Sequence, residues 1–282
     1  MYQPKIFGFI AIALFAFTAV AQTPNASTVP VKNKPMQPIK LLEINSAARV
    51  SFVGDKVTIV GTNNKSRRAS VGETIFVGDS LITGKQGEIH LEMEDSGYIA
   101  VRPNSRLQIS TFAAKGDEND SSAITLSYGG VRFVNGWISG LKQPKNLFKT
   151  PNATIQMRGG DHEIRVVAKA AGAGNDAAGT YFKVLVGGGQ IVSTNGKLEV
   201  AVDQAGFVAQ VGNRPQLLKE ITKVFSATEN EKLIEGKFVM VQKNAAARLE
   251  TRRNENKMRL QNAEKLTSGQ KSAQAESAQQ KR

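Results

Sequence analysis

The chain has 282 residues, no cysteine, two histidines and a formal net charge of +13. The missing thiols exclude disulfides, thiolate metal sites, a cysteine nucleophile and a lipidated cysteine, so any fold must be held by its core. The charge is uneven: Lys237 to Arg282 carries 11 Lys or Arg against four Glu, a concentration that bears on solubility and polyanion contact rather than on fold.

Lys5 precedes an apolar run from Ile6 to Phe17, and Ala19-Val20-Ala21 offers small side chains just beyond it. This order is the pattern of a cleavable signal peptide over 1–21, with cleavage between Ala21 and Gln22. The run of about 12 residues is too short to span a bilayer, so no transmembrane anchor is expected and the mature chain is placed in the periplasm. Residues 22–40 carry four prolines and isolated apolar residues, which reads as an extended linker.

Residues 41–215 form the one segment long enough for a sizeable core. Short β-branched and aromatic runs alternate there with Gly, Asn and Asp, as in 56–60, 74–77, 98–101, 123–126 and 182–186. In Glu88–Glu94 strict alternation sends Ile89, Leu91 and Met93 inward and Glu88, His90, Glu92 and Glu94 to water. Asp95-Ser96-Gly97 then turns into an antiparallel partner. The tetrapeptide Phe-Val-Gly-Asp occurs at 52–55 and 76–79, which reads as two similar strand-end turns. The expected class is mostly β, an antiparallel sandwich or roll.

Chemistry is sparse in this segment. His90 reads as a solvated residue on a polar strand face, and Asp161, His162 and Glu163 cannot converge on one metal while alternating across a strand. Ala170–Asn175 reads as a loop and Gly187-Gly188-Gly189 as a turn, since neither has the strand, helix and Lys-Ser/Thr context of a phosphate loop. No catalytic residue, cofactor or metal is therefore assigned, and the chain is read as a non-enzyme. Trp137, alone between glycines, reads as a core plug. If the surface binds, Trp137 and Arg158 are candidates on the β segment.

After Pro215 helical spacing appears at Leu217, Leu218, Ile221, Val224 and Phe225, and Thr228 with Glu231 has the spacing of a capping box opening a second helix. Residues 216–243 are thus expected to be helical and to fold back on the β domain. Residues 244–282 form a basic polar tail, a solvated helix or a disordered segment, with Arg252 and Arg253 as binding candidates. The tail suits anionic polymers or lipid head groups. It lacks the interleaved aromatics of a nucleic-acid binder.

Across 71–211 several pieces recur in a familiar order: Val71-Gly72, Val77–Gly84, Asp95-Ser96-Gly97, Arg102–Leu107, Leu126–Arg132, Asn135–Ile138, Phe148–Ile155 and Arg158–Ile164. This half of the chain resembles the FecR-type periplasmic domain. The resemblance implies a β-rich extracytoplasmic module that binds other envelope proteins and, in the best-known members, relays an outer-membrane signal to a sigma factor. Those members carry an anti-sigma segment and a membrane helix ahead of the domain, where this chain has its signal peptide. The family's Arg-Gly-Thr-Asp followed by an aromatic is here Arg158-Gly159-Gly160-Asp161-His162. The resemblance brings no catalytic residue with it.

Protein recovered from the cell envelope is expected to begin at Gln22. N-terminal sequencing that returned an intact Met1 would remove the export reading.

Overall fold

A computed structural model describes residues 46–168 and 176–279; the signal-peptide and linker readings of 1–40 and the loop reading of 170–175 fall outside the described residues. The first strands are β1 (Ser46–Gly54), β2 (Val57–Val60), β3 (Ser66–Arg68), β4 (Thr74–Phe76) and β5 (Ser80–Thr83). They are followed by β6 (Glu88–Met93), β7 (Tyr98–Val101), β8 (Arg106–Ala113), β9 (Ser121–Val134) and β10 (Lys145–Lys149). The set closes with β11 (Thr154–Val167), β12 (Gly179–Ser193), β13 (Gly196–Val200), β14 (Ala205–Val208) and β15 (Gln216–Leu217). All pair into one mixed sheet, antiparallel except where β10 runs parallel to β9. The fold is mostly β with C-terminal helices.

The long strand β9 organises the sheet. Its first half pairs with β8 and β10, and its second half pairs with β7 and β11. The exchange of partners falls at Gly129, where φ is +93° and a Cβ would lie 2.1 Å from the Ser105 hydroxyl. Only glycine reconciles that conformation with that approach. One core fills the resulting roll, with Ile89, Leu91, Ile99, Ile109, Leu126, Phe148, Ile155, Phe182 and Ile191 buried in a single cluster.

The predicted strands are present, and Asp95-Ser96-Gly97 does turn β6 into antiparallel β7, with Ser96 at φ +60°. The two Phe-Val-Gly-Asp segments end β1 and β4, as strand-end turns should. Two expectations fail. Residues 217–225 do not form a helix: β15 is an edge strand on β14, and only Lys223–Phe225 makes a 3-10 turn. Leu218, Val224 and Phe225 nevertheless pack on Tyr181 and Phe207, so their apolar spacing serves a sheet edge rather than a helix face. Gly187-Gly188-Gly189 is likewise no turn, because it lies inside β12.

The remaining elements are α1 (Glu229–Leu233) and α2 (Glu235–Gln279). Thr228 caps α1, its hydroxyl accepting from the Glu231 N–H at 3.1 Å. The tail takes the helical alternative through Gln279, and its near part meets the β domain. Leu249 packs against the main core, so this part does bury a face. No described helix is long and apolar enough to cross a membrane.

One turn ties the sheet to its neighbours. Gly136 presses on the Asp95 carbonyl, where a Cβ would come within 2.1 Å, and the Trp137 N–H donates to that carbonyl at 3.0 Å. The Asp95 carboxyl is buried, and burial outweighs the Gly97 and Ile138 N–H groups to push its pKa up to about 6. A carboxyl whose pKa is raised on folding costs stability above the folded value and ceases to do so as the pH falls toward the unfolded value. His162 works in the opposite sense, since burial lowers its pKa to about 4 and stability is lost as pH falls through that range. Asp95→Asn is therefore expected to be more stable than the parent by about 2 kcal/mol above pH 7 and to converge on it near pH 4. Urea melts at the two pH values measure this, and a variant destabilised at both would show that the charged form is the one the turn requires.

Candidate functional site

Strand alternation gives the second half of the sheet two unlike faces. The apolar face belongs to the core. The other face carries Glu88 and His90 on β6, Arg102 just after β7, Arg132 on β9, Asp161, Glu163 and Arg165 on β11, and Lys183 on β12. Cross-strand register aligns them, with His90 opposite Ala100, Ala100 opposite Arg132, Arg132 opposite Glu163 and Glu163 opposite Lys183. The pattern alone would predict a solvated face, yet Glu88, His90, Arg102, Arg132, Asp161 and Glu163 are all buried. The cover is the segment Thr228 to Phe238.

Apart from Arg165, each of these charges has a partner of opposite sign. Arg102 holds Glu231 through Nε at 2.7 Å and Nη2 at 2.8 Å, and Nη2 also reaches Glu163. Lys183 donates to the other Glu163 oxygen at 3.1 Å. Arg132 grips Asp161 with Nη2 at 2.6 Å and Glu235 with Nη1 at 2.6 Å. Glu88 accepts from Thr228 at 2.8 Å, Asn230 at 2.9 Å and His90 Nε2 at 2.5 Å. Burial raises the Glu88 pKa, but the bonds from His90, Asn230 and Thr228 prevail and hold it below the usual value. Burial likewise works against the charge on Arg102 and is overcome by Glu231 and Glu163, which leave its pKa raised. At Asp161 burial prevails over Arg132, and its pKa is raised.

An aromatic stack completes the seam. Phe238 lies edge-on to Tyr98 with ring centroids 5.5 Å apart, and the Arg132 guanidinium sits 4.1 Å over the Phe238 ring. Tyr98 in turn meets His90 at 5.8 Å and Ser51 through its hydroxyl at 3.0 Å. The solvated reading of His90 is thus corrected. Glu88 beside it is polar because the segment above it is polar, whereas Glu92 and Glu94 further along are exposed as the alternation predicts.

Two openings flank α2. The larger, a groove of about 1130 Å3, runs between α2 from Arg252 to Glu264 and the β8–β9 loop from Phe112 to Asp117. The smaller, about 400 Å3, lies between Gln242 to Leu249 and Gly136, Gly159 and Gly187. Trp137 and Arg158 both line the smaller one. Trp137 is buried and its indole N–H donates to Asp120 at 2.9 Å, which makes it the plug rather than an exposed binding aromatic. Arg158 is exposed and paired with Glu199. Arg252 and Arg253 line the larger groove. Arg253 donates to the Gly116 carbonyl at 3.1 Å and to Glu118 at 3.2 Å, while Arg252 lies 3.6 Å from Glu255. Asp120 joins the two openings, since it also accepts the N–H groups of Lys115 at 2.6 Å and Gly116 at 2.8 Å. Ala21 and Gln22 lie outside the described residues.

Sequence reasoning passed over Arg102, Arg132, Glu231, Glu235 and Phe238. A signal was present. Glu231 and Glu235 are four apart, the spacing of one helical face, and β11 carries Asp161, Glu163 and Arg165 at period two on the face opposite Ile164 and Val166.

Removing one partner of a buried pair leaves the other charge desolvated and alone. Glu231→Leu is accordingly expected to cost about 3 kcal/mol or more, and Arg102→Met combined with it to recover at least 1 kcal/mol. The exposed Lys232→Ala should cost under about 0.5 kcal/mol. Denaturant unfolding of the parent, Glu231→Leu, Arg102→Met and the double variant gives the coupling, and additive single effects would show that the pair does not hold the helix.

No protein-family model matches the chain, and no curated protein matches it significantly. Among solved structures, it is similar to two crystal structures, at 1.65 and 2.50 Å resolution, of a protein assigned as a candidate anti-sigma factor from Parabacteroides distasonis. Each aligns with a TM-score of 0.39 and 8% identity over 51% of this chain, and the chain spans 61% of that protein's length. A solved cell surface anchoring domain aligns with a TM-score of 0.22 and 22% identity over 22% of this chain and 82% of its own.

Proposed function

We propose that the chain is a non-enzymatic protein-binding module of the FecR-domain type, serving signalling or assembly at the cell envelope. The observation that carries this reading is the groove between α2 and the β8–β9 loop. Its lining combines Phe112, Ala113, Ala114 and Leu260 with charges of both signs, among them Lys115, Asp117, Lys257 and Glu264. Apolar side chains set among charges of both signs are the composition of a protein interface. At about 1130 Å3 the groove exceeds the ordinary range of small-ligand pockets and suits a segment of polypeptide.

The groove is also preformed. Its α2 wall is fixed upstream by the buried Glu231 pair and by Glu235 on the buried Arg132, and Arg253 and Asn256 tie it to the loop at Gly116, Glu118 and Lys115. Rigid walls reduce the ordering cost of association. Arg253 directs its donors at the loop, so a mixed-sign groove rather than a basic stripe is the basis for binding. The partner expected is another extracytoplasmic protein that offers an extended segment.

A photo-cross-linking residue placed at Lys257 in intact cells should form an adduct with one defined protein that the same residue at Val211, outside the groove, does not form. Leu260→Glu should reduce that adduct at least fivefold with no change in melting temperature. Identical adduct patterns at both positions, or an adduct indifferent to Leu260→Glu, would overturn the groove as the binding site.

A further inference from the structure

The docking seam leaves one side of Arg102 unused. Its Nε and Nη2 serve Glu231 and Glu163, while Nη1 is buried with no hydrogen-bond partner, in a side chain 2% exposed overall. Arg165 lies beside it. The two residues converge on Gly130: Arg165 faces Gly130 across β11 and β9, and the Arg102 N–H donates to the Gly130 carbonyl at 2.9 Å. Both side chains cross that glycine, where a Cβ would meet Arg165 Cδ and Nη1 at 2.9 Å and Arg102 Cδ at 3.3 Å.

Arg165 is half-buried, and among the described residues no carboxylate lies within ion-pair distance of it. The local charges are therefore unbalanced. Arg102, Arg165 and Lys183 face only Glu163 and Glu231, and Asp176 acts on Arg165 only at longer range. Burial first, and then the neighbouring Arg102 charge, weaken the hold of Arg165 on its proton. Two guanidinium groups side by side, one with an orphaned buried donor, supply forked N–H groups that match an oxyanion. An unmade bond at a buried donor costs free energy that an acceptor would recover.

We infer that Arg102 and Arg165 form a seat for a small oxyanion, a carboxylate or a phosphate, above Gly130. The seat is separate from the groove along α2 and does not depend on the reading of that groove. Access is through Arg165, the more exposed of the two, while Arg102 supplies the fixed inner donor.

The test uses the full chain, 15N-labelled, titrated with inorganic phosphate or acetate against chloride at matched ionic strength and followed at the arginine Nε–H signals. Either probe should bind saturably. Arg165→Met should weaken binding at least tenfold, whereas Arg158→Met, at an exposed arginine paired elsewhere, should leave it unchanged. Arg165 takes no part in holding the helix, so its variant should melt as the parent does. Preference for phosphate would identify a phosphoryl group as the source, and preference for acetate a carboxylate such as a peptide terminus. Absence of saturable binding, or binding equal in Arg165→Met and the parent, would overturn the seat.

Discussion

The arrangement rests on a buried bidentate pair, Arg102 with Glu231, in which both side chains have left water. Desolvation of two charges is so costly that the pair persists only if geometry and additional hydrogen bonds are nearly complete. Glu163 and, through it, Lys183 supply that completion, and Arg132 with Asp161 and Glu235 forms a second set of pairs on the same face. A hydrophobic lid would tolerate sliding of the helix along the sheet by a turn. Forked pairs at two points four residues apart do not, because a shift of one turn would leave charges without partners in a low-dielectric seam. The network thus sets the position and direction of α2, and through them the walls of both openings.

The second constraint is the backbone contact at Asp95, Gly136 and Trp137. It brings the β6–β7 turn against the strand end of β9, sends the Trp137 indole to Asp120, and lets Asp120 gather the loop that meets Arg253 and Asn256. Three segments distant in sequence are thereby fixed to one another by polar bonds as well as by the burial of Trp137 and Phe112 in the core. That explains how a domain without disulfides keeps a long loop ordered beside a groove.

Legibility in the sequence followed the range of the interaction. Local rules located the strands, the Asp95–Gly97 turn and the Thr228 cap, because alternation and capping need only neighbours. The capping box itself was half right: Thr228 does cap, but the Glu231 side chain turns to Arg102, 129 residues away in sequence. His90 shows the same limit, since alternation separates the two faces of a strand but does not reveal whether water or a polar helix covers the second. At Leu217 and Leu218 the apolar spacing was real, and pairing with β14 decided its use. The resemblance to the FecR-type domain covered 71–211 and said nothing of the lid, whose residues lie beyond it.

The helix α2 is 45 residues long and is tied to the β domain at two places far apart along it. Glu235, its first residue, grips Arg132, and Arg253, about 27 Å further on at 1.5 Å per residue, reaches the β8–β9 loop. A rod pinned at two such points cannot swing about either one while the other holds. The helix therefore acts as a splint: it carries the position of the charged seam to the groove, and loss of either tie would turn a fixed wall into a hinged one.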